Sequence, residues 1–249
     1  GFDYEFSTFY HCFVTELVCE VMDVLNINGF DVPTELSSVA GKMIGVCRLM
    51  GAFNCQLPLI GDQDSSRLFL LTGYFDFDRC DFCSLERLLL NEKGADTKSA
   101  GIYVLEKGKK RVFFKCGAVG TRGKGTHDHN DQLSVCVFHN NEEIICDSGT
   151  YVYTLDTKKR KEFRSVKAHS TVHFGEKEPN DISPLFSVKT QNDGELINFS
   201  NEKVEGQFIY NDSTKHVRTV NFENDDVVIK DVALNGISRL IVPVPKDRI

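Results

Sequence analysis

The hydrophobic period of this chain changes once, near residue 95, which limits it to a helical part followed by a sheet-forming part. From Tyr10 the apolar positions run Phe13, Val14, Leu17, Val18, Val21, Met22 and Leu25, the i, i+3, i+4 stripe of an amphipathic helix. Ser7 is placed to cap its start and Gly29 to close its end. A second helix fits 34–50, with Thr34 as cap, Leu36, Val39, Ala40, Met43, Cys47 and Met50 as its apolar positions, and Gly51 as stop. A loop follows over 57–64, and a short helix is predicted at 85–90.

After Gly94 the pattern turns to short strands separated by turn residues. Segments 102–105 and 111–115 flank Lys107-Gly108-Lys109, and 133–138 and 143–146 flank His139-Asn140-Asn141, both hairpin signals. Further strands are predicted at 187–190, 207–210, 217–222, 227–232 and 239–242. Many strands in series with few helices imply an antiparallel sandwich. The expected division is a helical domain over 1–95 and a β domain over 96–249.

The net charge of −7 argues against a nucleic-acid partner, which needs a basic face. It leaves room for an anionic glycan, because a local basic cleft can sit in an acidic protein. No run of about 18 apolar residues is present, so no transmembrane helix is expected. The first 30 residues carry five acidic side chains and no Lys or Arg, unlike a signal peptide. Nine Cys at scattered, mostly apolar positions read as buried thiols in a reduced compartment, which favours the cytoplasm. A periplasmic or secreted location stays open, because a chain opening on Gly1 lacks a true N-terminus. Cys80-x-x-Cys83 has no second pair at zinc spacing, so it is a weak metal or redox signal.

Three stretches could carry chemistry. In Gly123-Lys124-Gly125-Thr126-His127-Asp128-His129-Asn130-Asp131, small residues give way to dense titratable ones just before a strand. In Asp147-Ser148-Gly149-Thr150-Tyr151 a carboxylate ends an apolar strand, and the basic segment from Arg160 to His169 ends in histidine. His127, His129, Asp147 and His169 supply nitrogen and oxygen ligands of the kind zinc accepts; they also fit ordinary surface loops. At i and i+2, the first two histidines share a face of an extended segment. Tyr10 lies on the apolar stripe of its helix, where a core tyrosine with a satisfied hydroxyl is the ordinary account.

Taken in order, these motifs resemble the heparinase II/III-like polysaccharide lyases. The resemblance rests on Glu5, Ser7 and Tyr10-His11 opening a helix, on Gly61-Asp62-Gln63-Asp64, and on His127-x-His129-x-Asp131. It continues through Asp147-Ser148-Gly149-Thr150 with Tyr153, Arg164-Ser165-x-x-Ala168-His169, and His216-x-Arg218 with Asp231. It covers roughly residues 4–235. Ser170 departs from it, since the family commonly has Asn there; the change removes no ligand.

The resemblance implies the C-terminal remnant of an incomplete α/α toroid followed by an antiparallel β-sandwich, with the active site between them. Such lyases cleave uronic-acid-containing polysaccharides by β-elimination. Carried over, Tyr10 is the acid/base tyrosine and His127 a second cleft residue. His11 and Arg164 contact the glycan carboxylate or leaving group, His11 counting with the catalytic residues, and Glu5 with Arg164 binds substrate. His129, Asp147 and His169 hold one structural zinc. The family's carboxylate-neutralising residue lies well upstream of the tyrosine, whereas only nine residues precede Tyr10, so a truncated or partial chain is expected. Two further readings stay open: a non-catalytic carbohydrate-binding or surface-polysaccharide-assembly protein keeping the fold, and a metal-dependent hydrolase using the His/Asp cluster directly.

Overall fold

The computed structural model describes residues 1–54, 57–63, 95–183, 185–189 and 192–245. The helix expected at 85–90, the Cys80-x-x-Cys83 pair, Cys55 and Asp64 lie outside them.

Two long helices come first, α1 (Thr8–Ile27) and α2 (Thr34–Leu49). Ser7 caps α1 as expected, its side chain accepting from the Tyr10 N–H. Thr34 does not cap α2: it opens the first turn, and the cap is Pro33, whose fixed φ suits a helix entry. The buried face of α1 also differs from the predicted stripe. Thr8, His11, Cys12, Thr15, Cys19 and Met22 are buried, whereas Leu17, Val21 and Val24 are exposed. The predicted stripe weighted large aliphatic residues; α1 instead packs its small and polar ones against α2, and the Cys47 thiol donates to Thr15 Oγ1 at 3.5 Å.

Strands β1 (Ile102–Lys107), β2 (Lys110–Lys115), β3 (Val135–His139) and β4 (Glu142–Ile145) form one antiparallel sheet in that order. Strands β8 (Glu195–Phe199), β9 (Lys203–Ile209), β10 (Lys215–Glu223) and β11 (Asp226–Leu234) form a second, ordered β11-β10-β9-β8. Short pieces β5 (Val172–His173), β6 (Asp181–Ile182), β7 (Val188–Lys189) and β12 (Arg239–Leu240) pair as β5 with β12 and β6 with β7. Strand β8 was not predicted, because its pattern is half exposed and lacks a continuous apolar alternation.

The first sheet is the middle of three layers. Pleating sends Phe113, Cys136 and Phe138 to the helices, in one core with Phe9, Cys12, Ile44 and Cys47. The alternate residues Val112, Phe114, Val135 and Val137 pack with Val204, Phe208, Val220 and Phe222 of the second sheet. Pairing Phe113 with Cys136 and Val112 with Val137 keeps both faces in register. Between β4 and β5, the basic segment folds as a third helix, α3 (Thr157–Arg164), capped by Asp156. Its polarity hid it from a hydrophobic period.

Six cysteines fall among the described residues and none of them is in a disulfide; all but Cys146 are buried. Among the described residues, no helix is long and apolar enough to cross a membrane.

Candidate functional site

The segment 57–63 carries Asp62 into the interior. Ser7 Oγ donates to the Asp62 carbonyl at 2.6 Å, and the Asp62 N–H donates to the His127 carbonyl at 2.8 Å. Gly61 allows this approach: φ is +73°, and a Cβ there would lie 2.7 Å from the His127 oxygen.

The Asp62 carboxylate is fully buried and has four partners. Arg160 of α3 forks onto both oxygens, His127 Nδ1 lies 3.1 Å from Oδ2, His129 Nε2 lies 2.7 Å from Oδ1, and Thr150 Oγ1 donates to Oδ1 at 3.3 Å. Burial pushes its pKa up, but the two histidines and Arg160 hold it well below the usual carboxylate range. An ionised carboxylate only accepts, so each histidine carries its proton on the nitrogen facing Asp62. One carboxylate therefore sets two tautomers. A neutral His127 presents the Nε2 lone pair outward, and a neutral His129 presents the Nδ1 lone pair on its far side.

Outward from His127 lies a group of polar aromatics. The Tyr10 ring stacks on the His127 ring with centroids 4.1 Å apart. The Tyr10 hydroxyl sits 2.9 Å from the Tyr153 hydroxyl. The Arg160 guanidinium lies over the Tyr153 ring, 4.9 Å from its centroid. Glu5 Oε2 is 3.7 Å from His127 Nε2; burial raises the Glu5 pKa and His127 opposes the rise. Tyr10 and Glu5 thus both meet His127, more than 110 residues away in sequence.

Inward from His129 lies the second cluster. One ligand atom each from His129, Asp147 and His169 lies within 4.8 Å of the others, and all three residues are buried. His169 Nδ1 donates to Asp147 Oδ2 at 2.8 Å. His129 Nδ1, His169 Nε2 and both Asp131 oxygens are buried without a hydrogen-bond partner. Unpartnered buried nitrogens of this kind call for a ligand, and two imidazoles with a carboxylate are a donor set that zinc accepts. The residues therefore fit a metal ion. Burial lowers the His169 pKa and Asp147 more than reverses that, to about 9, so a metal would displace a proton there.

Two expected site residues lie elsewhere. His11 is fully buried between the helices: Nδ1 accepts from the Asp3 N–H at 3.0 Å, Nε2 donates to the Met43 carbonyl at 3.1 Å, and the ring stacks on Phe2. With both nitrogens committed it is a strut for α1 and α2, not a cleft residue. Arg164 is also fully buried, donating to the carbonyls of Gly125, Asp128, Ser183 and Leu185. It braces the histidine loop and has no face for a glycan. Sequence reasoning gave Asp62, Thr150, Tyr153 and Arg160 no role. Arg160 and Arg164 stand at i and i+4 on the buried side of α3, a spacing that could have flagged the pair.

A similar brace holds the far side. Arg218 donates to Asp231 through Nε at 2.7 Å and Nη2 at 3.0 Å, and its Nη1 reaches the carbonyls of Leu133 and Ser170. It ties the second sheet to the segment following His169.

The fold is a helical layer packed on two antiparallel sheets. The family described as heparinase II/III-like, C-terminal, matches residues 90–239, well over half of the chain, and the chain belongs to that family. Among solved structures, the heparinase III-BT4657 gene product superposes with a TM-score of 0.71 at 18% identity, over 99% of this chain and 41% of that one. A heparinase III gives 0.66 at 17% identity, over 93% and 40%. Heparan sulfate lyase HepC from Pedobacter heparinus gives 0.64 at 16% identity, over 93% and 38%. At these identities the likeness is one of fold. The chain spans about 40% of the length of the solved structures it matches. No curated protein sequence matches it.

Proposed function

We propose that this chain carries the acid/base part of a polysaccharide lyase that cleaves uronic-acid-containing glycans by β-elimination. The observation that carries the reading is the Tyr10 phenol stacked on His127, with its hydroxyl on that of Tyr153. In this reading α1 and α2 are the end of an incomplete α/α toroid, and the cleft lies where they meet the sheets.

β-Elimination breaks the C5–H bond of the uronate, moves that electron pair into a C4=C5 double bond, and releases O4, which takes a proton. The groups required are a base at C5 and an acid at O4. The outward Nε2 of His127 and the Tyr10 hydroxyl are the two proton carriers. A phenol is a poor base near neutral pH, which leaves His127 Nε2 as the better base of the two and the Tyr10 hydroxyl as the acid. Asp62 and Arg160 act from beneath, holding His127 in one tautomer and orientation.

His129, Asp147 and His169 would hold one structural zinc, which fixes the two loops that frame the cleft. The test is incubation of the full-length protein with a panel of uronate-containing polysaccharides, read by the ultraviolet absorbance of the unsaturated product. Product from at least one member is expected. Binding without product would overturn the reading in favour of a non-catalytic carbohydrate-binding protein.

A further inference from the structure

Beside the cleft lies a cavity of about 350 Å³ that takes no part in the chemistry above. Its walls include Tyr4, Phe6, Val119, Arg122 and Asp193. We propose that it is a binding subsite for one anionic sugar unit of the glycan, next to the unit that undergoes cleavage. The inference rests on the lyase reading and extends its binding surface.

Three observations carry it. First, the lining has the chemistry of sugar recognition. Tyr4 is 58% exposed and offers a ring face, Arg122 is an exposed guanidinium suited to a carboxylate or sulfate, and Asp193 offers an acceptor for sugar hydroxyls. Pockets of this size hold small ligands of that order.

Second, the cavity lies close to His127. Tyr4 and Phe6 flank Glu5, whose carboxylate faces His127 Nε2. The Thr121 N–H donates to the Tyr4 carbonyl at 2.7 Å, and the Gly120 N–H donates to Asp128 Oδ2 at 2.8 Å, one residue from His127. These bonds tie the cavity wall to the segment that carries His127.

Third, the backbone around the cavity is held against its preference. Phe6, Thr121 and Arg122 all have left-handed φ, at 62°, 54° and 53°. Residues with side chains avoid this region, and such positions gather at ligand-binding sites. The turn Gly120–Gly123 is short and surrounded by glycines, so the chain had cheap residues at hand. Placing Arg122 in the left-handed position aims a cation that glycine would not supply.

The test is equilibrium binding of two size-defined hexasaccharides, one from heparan sulfate and one of the same backbone without sulfate, to full-length protein carrying Tyr10→Phe so that no turnover intervenes. In that background Arg122→Gly should raise the melting temperature by relieving strain, yet weaken binding about tenfold or more. Tyr4→Ala should weaken binding without lowering the melting temperature, since Tyr4 is largely exposed. A loss on both sugars assigns Arg122 to a uronate carboxylate; a loss on the sulfated sugar alone assigns it to a sulfate ester. If Arg122→Gly binds both as tightly as its parent, the subsite is overturned while the lyase reading stands. If the parent binds neither, and no other uronate-containing glycan, both fall.

Discussion

The Asp62 carboxylate and the Arg160 guanidinium form a buried two-pronged ion pair between residues 98 apart in the sequence. Removing one partner of such a pair strands the other charge, which typically costs about 3–5 kcal/mol. Asp62→Ala should therefore lower stability by that order, measured by denaturant unfolding. Asp62→Asn keeps the shape but can offer an N–H to His127, which disturbs its tautomer. It should reduce kcat more than it raises KM. An Asp62→Asn enzyme with normal kcat would show that the carboxylate only supports the fold.

Tyr10→Phe in the full-length protein should lower turnover by about 10²–10⁴-fold, the usual worth of a general acid/base group. Its stability should fall by only about 1 kcal/mol, the net value of a hydrogen bond. Tyr153→Phe removes the hydroxyl paired with Tyr10 but no proton carrier, so a smaller loss is expected. Equal loss in both variants would make the hydroxyl pair, and not Tyr10 alone, the reacting unit.

Elemental analysis should find about one zinc per chain, and a chelator should lower the melting temperature. His129→Ala should abolish the metal and the chelator effect together. Absence of zinc from the purified protein, with unchanged melting of His129→Ala, would remove the metal from the account. The unpartnered nitrogens of His129 and His169 would then need another ligand.

Asp231 gives a pH test away from the metal-type cluster. Burial pushes its pKa up, but His216 and Arg218 draw it from 3.8 to about 2. A folded value below the ordinary one means stability that is present above about pH 4 and lost as the pH falls through about 2. The shift corresponds to about 2 kcal/mol. Acid unfolding of Asp231→Asn should lack this segment of pH dependence, and its stability at neutral pH should already be reduced. Superimposable acid profiles for the two proteins would contradict the assignment.

Much of the architecture was legible because it rests on local patterns. The start of α1 at its Ser7 cap, the two hairpins and most strands of the second sheet follow from capping, turn residues and alternation. Residue types offered His127, His129, Asp147 and His169 as one set; the family resemblance separated His127 from the three that the structure groups. What failed was direction. His11 follows Tyr10 and shares its polarity, yet one residue along a helix turns a side chain by about 100°, from the cleft to the α1–α2 interface. Arg164 was read as a glycan contact from the family resemblance, but the histidine loop surrounds it with carbonyls. Asp62 stood in a recognisable loop, yet its role depends on meeting residues 65, 67 and 98 positions away. No local pattern encodes such a meeting.

The same separations bear on how the site comes into being. Tyr10 meets Tyr153 across 143 residues, and Asp62 meets Arg160 across 98. Contacts so distant along the chain form only after long loops have closed, and they are slow to appear during folding. The hairpins β1–β2 and β10–β11 can assemble early and give the spectrum of a β protein. The cleft cannot, because it has no local precursor. During refolding, Tyr10 and His127 should gain their native surroundings only when the last layer docks, which makes the cleft a late reporter of completed folding.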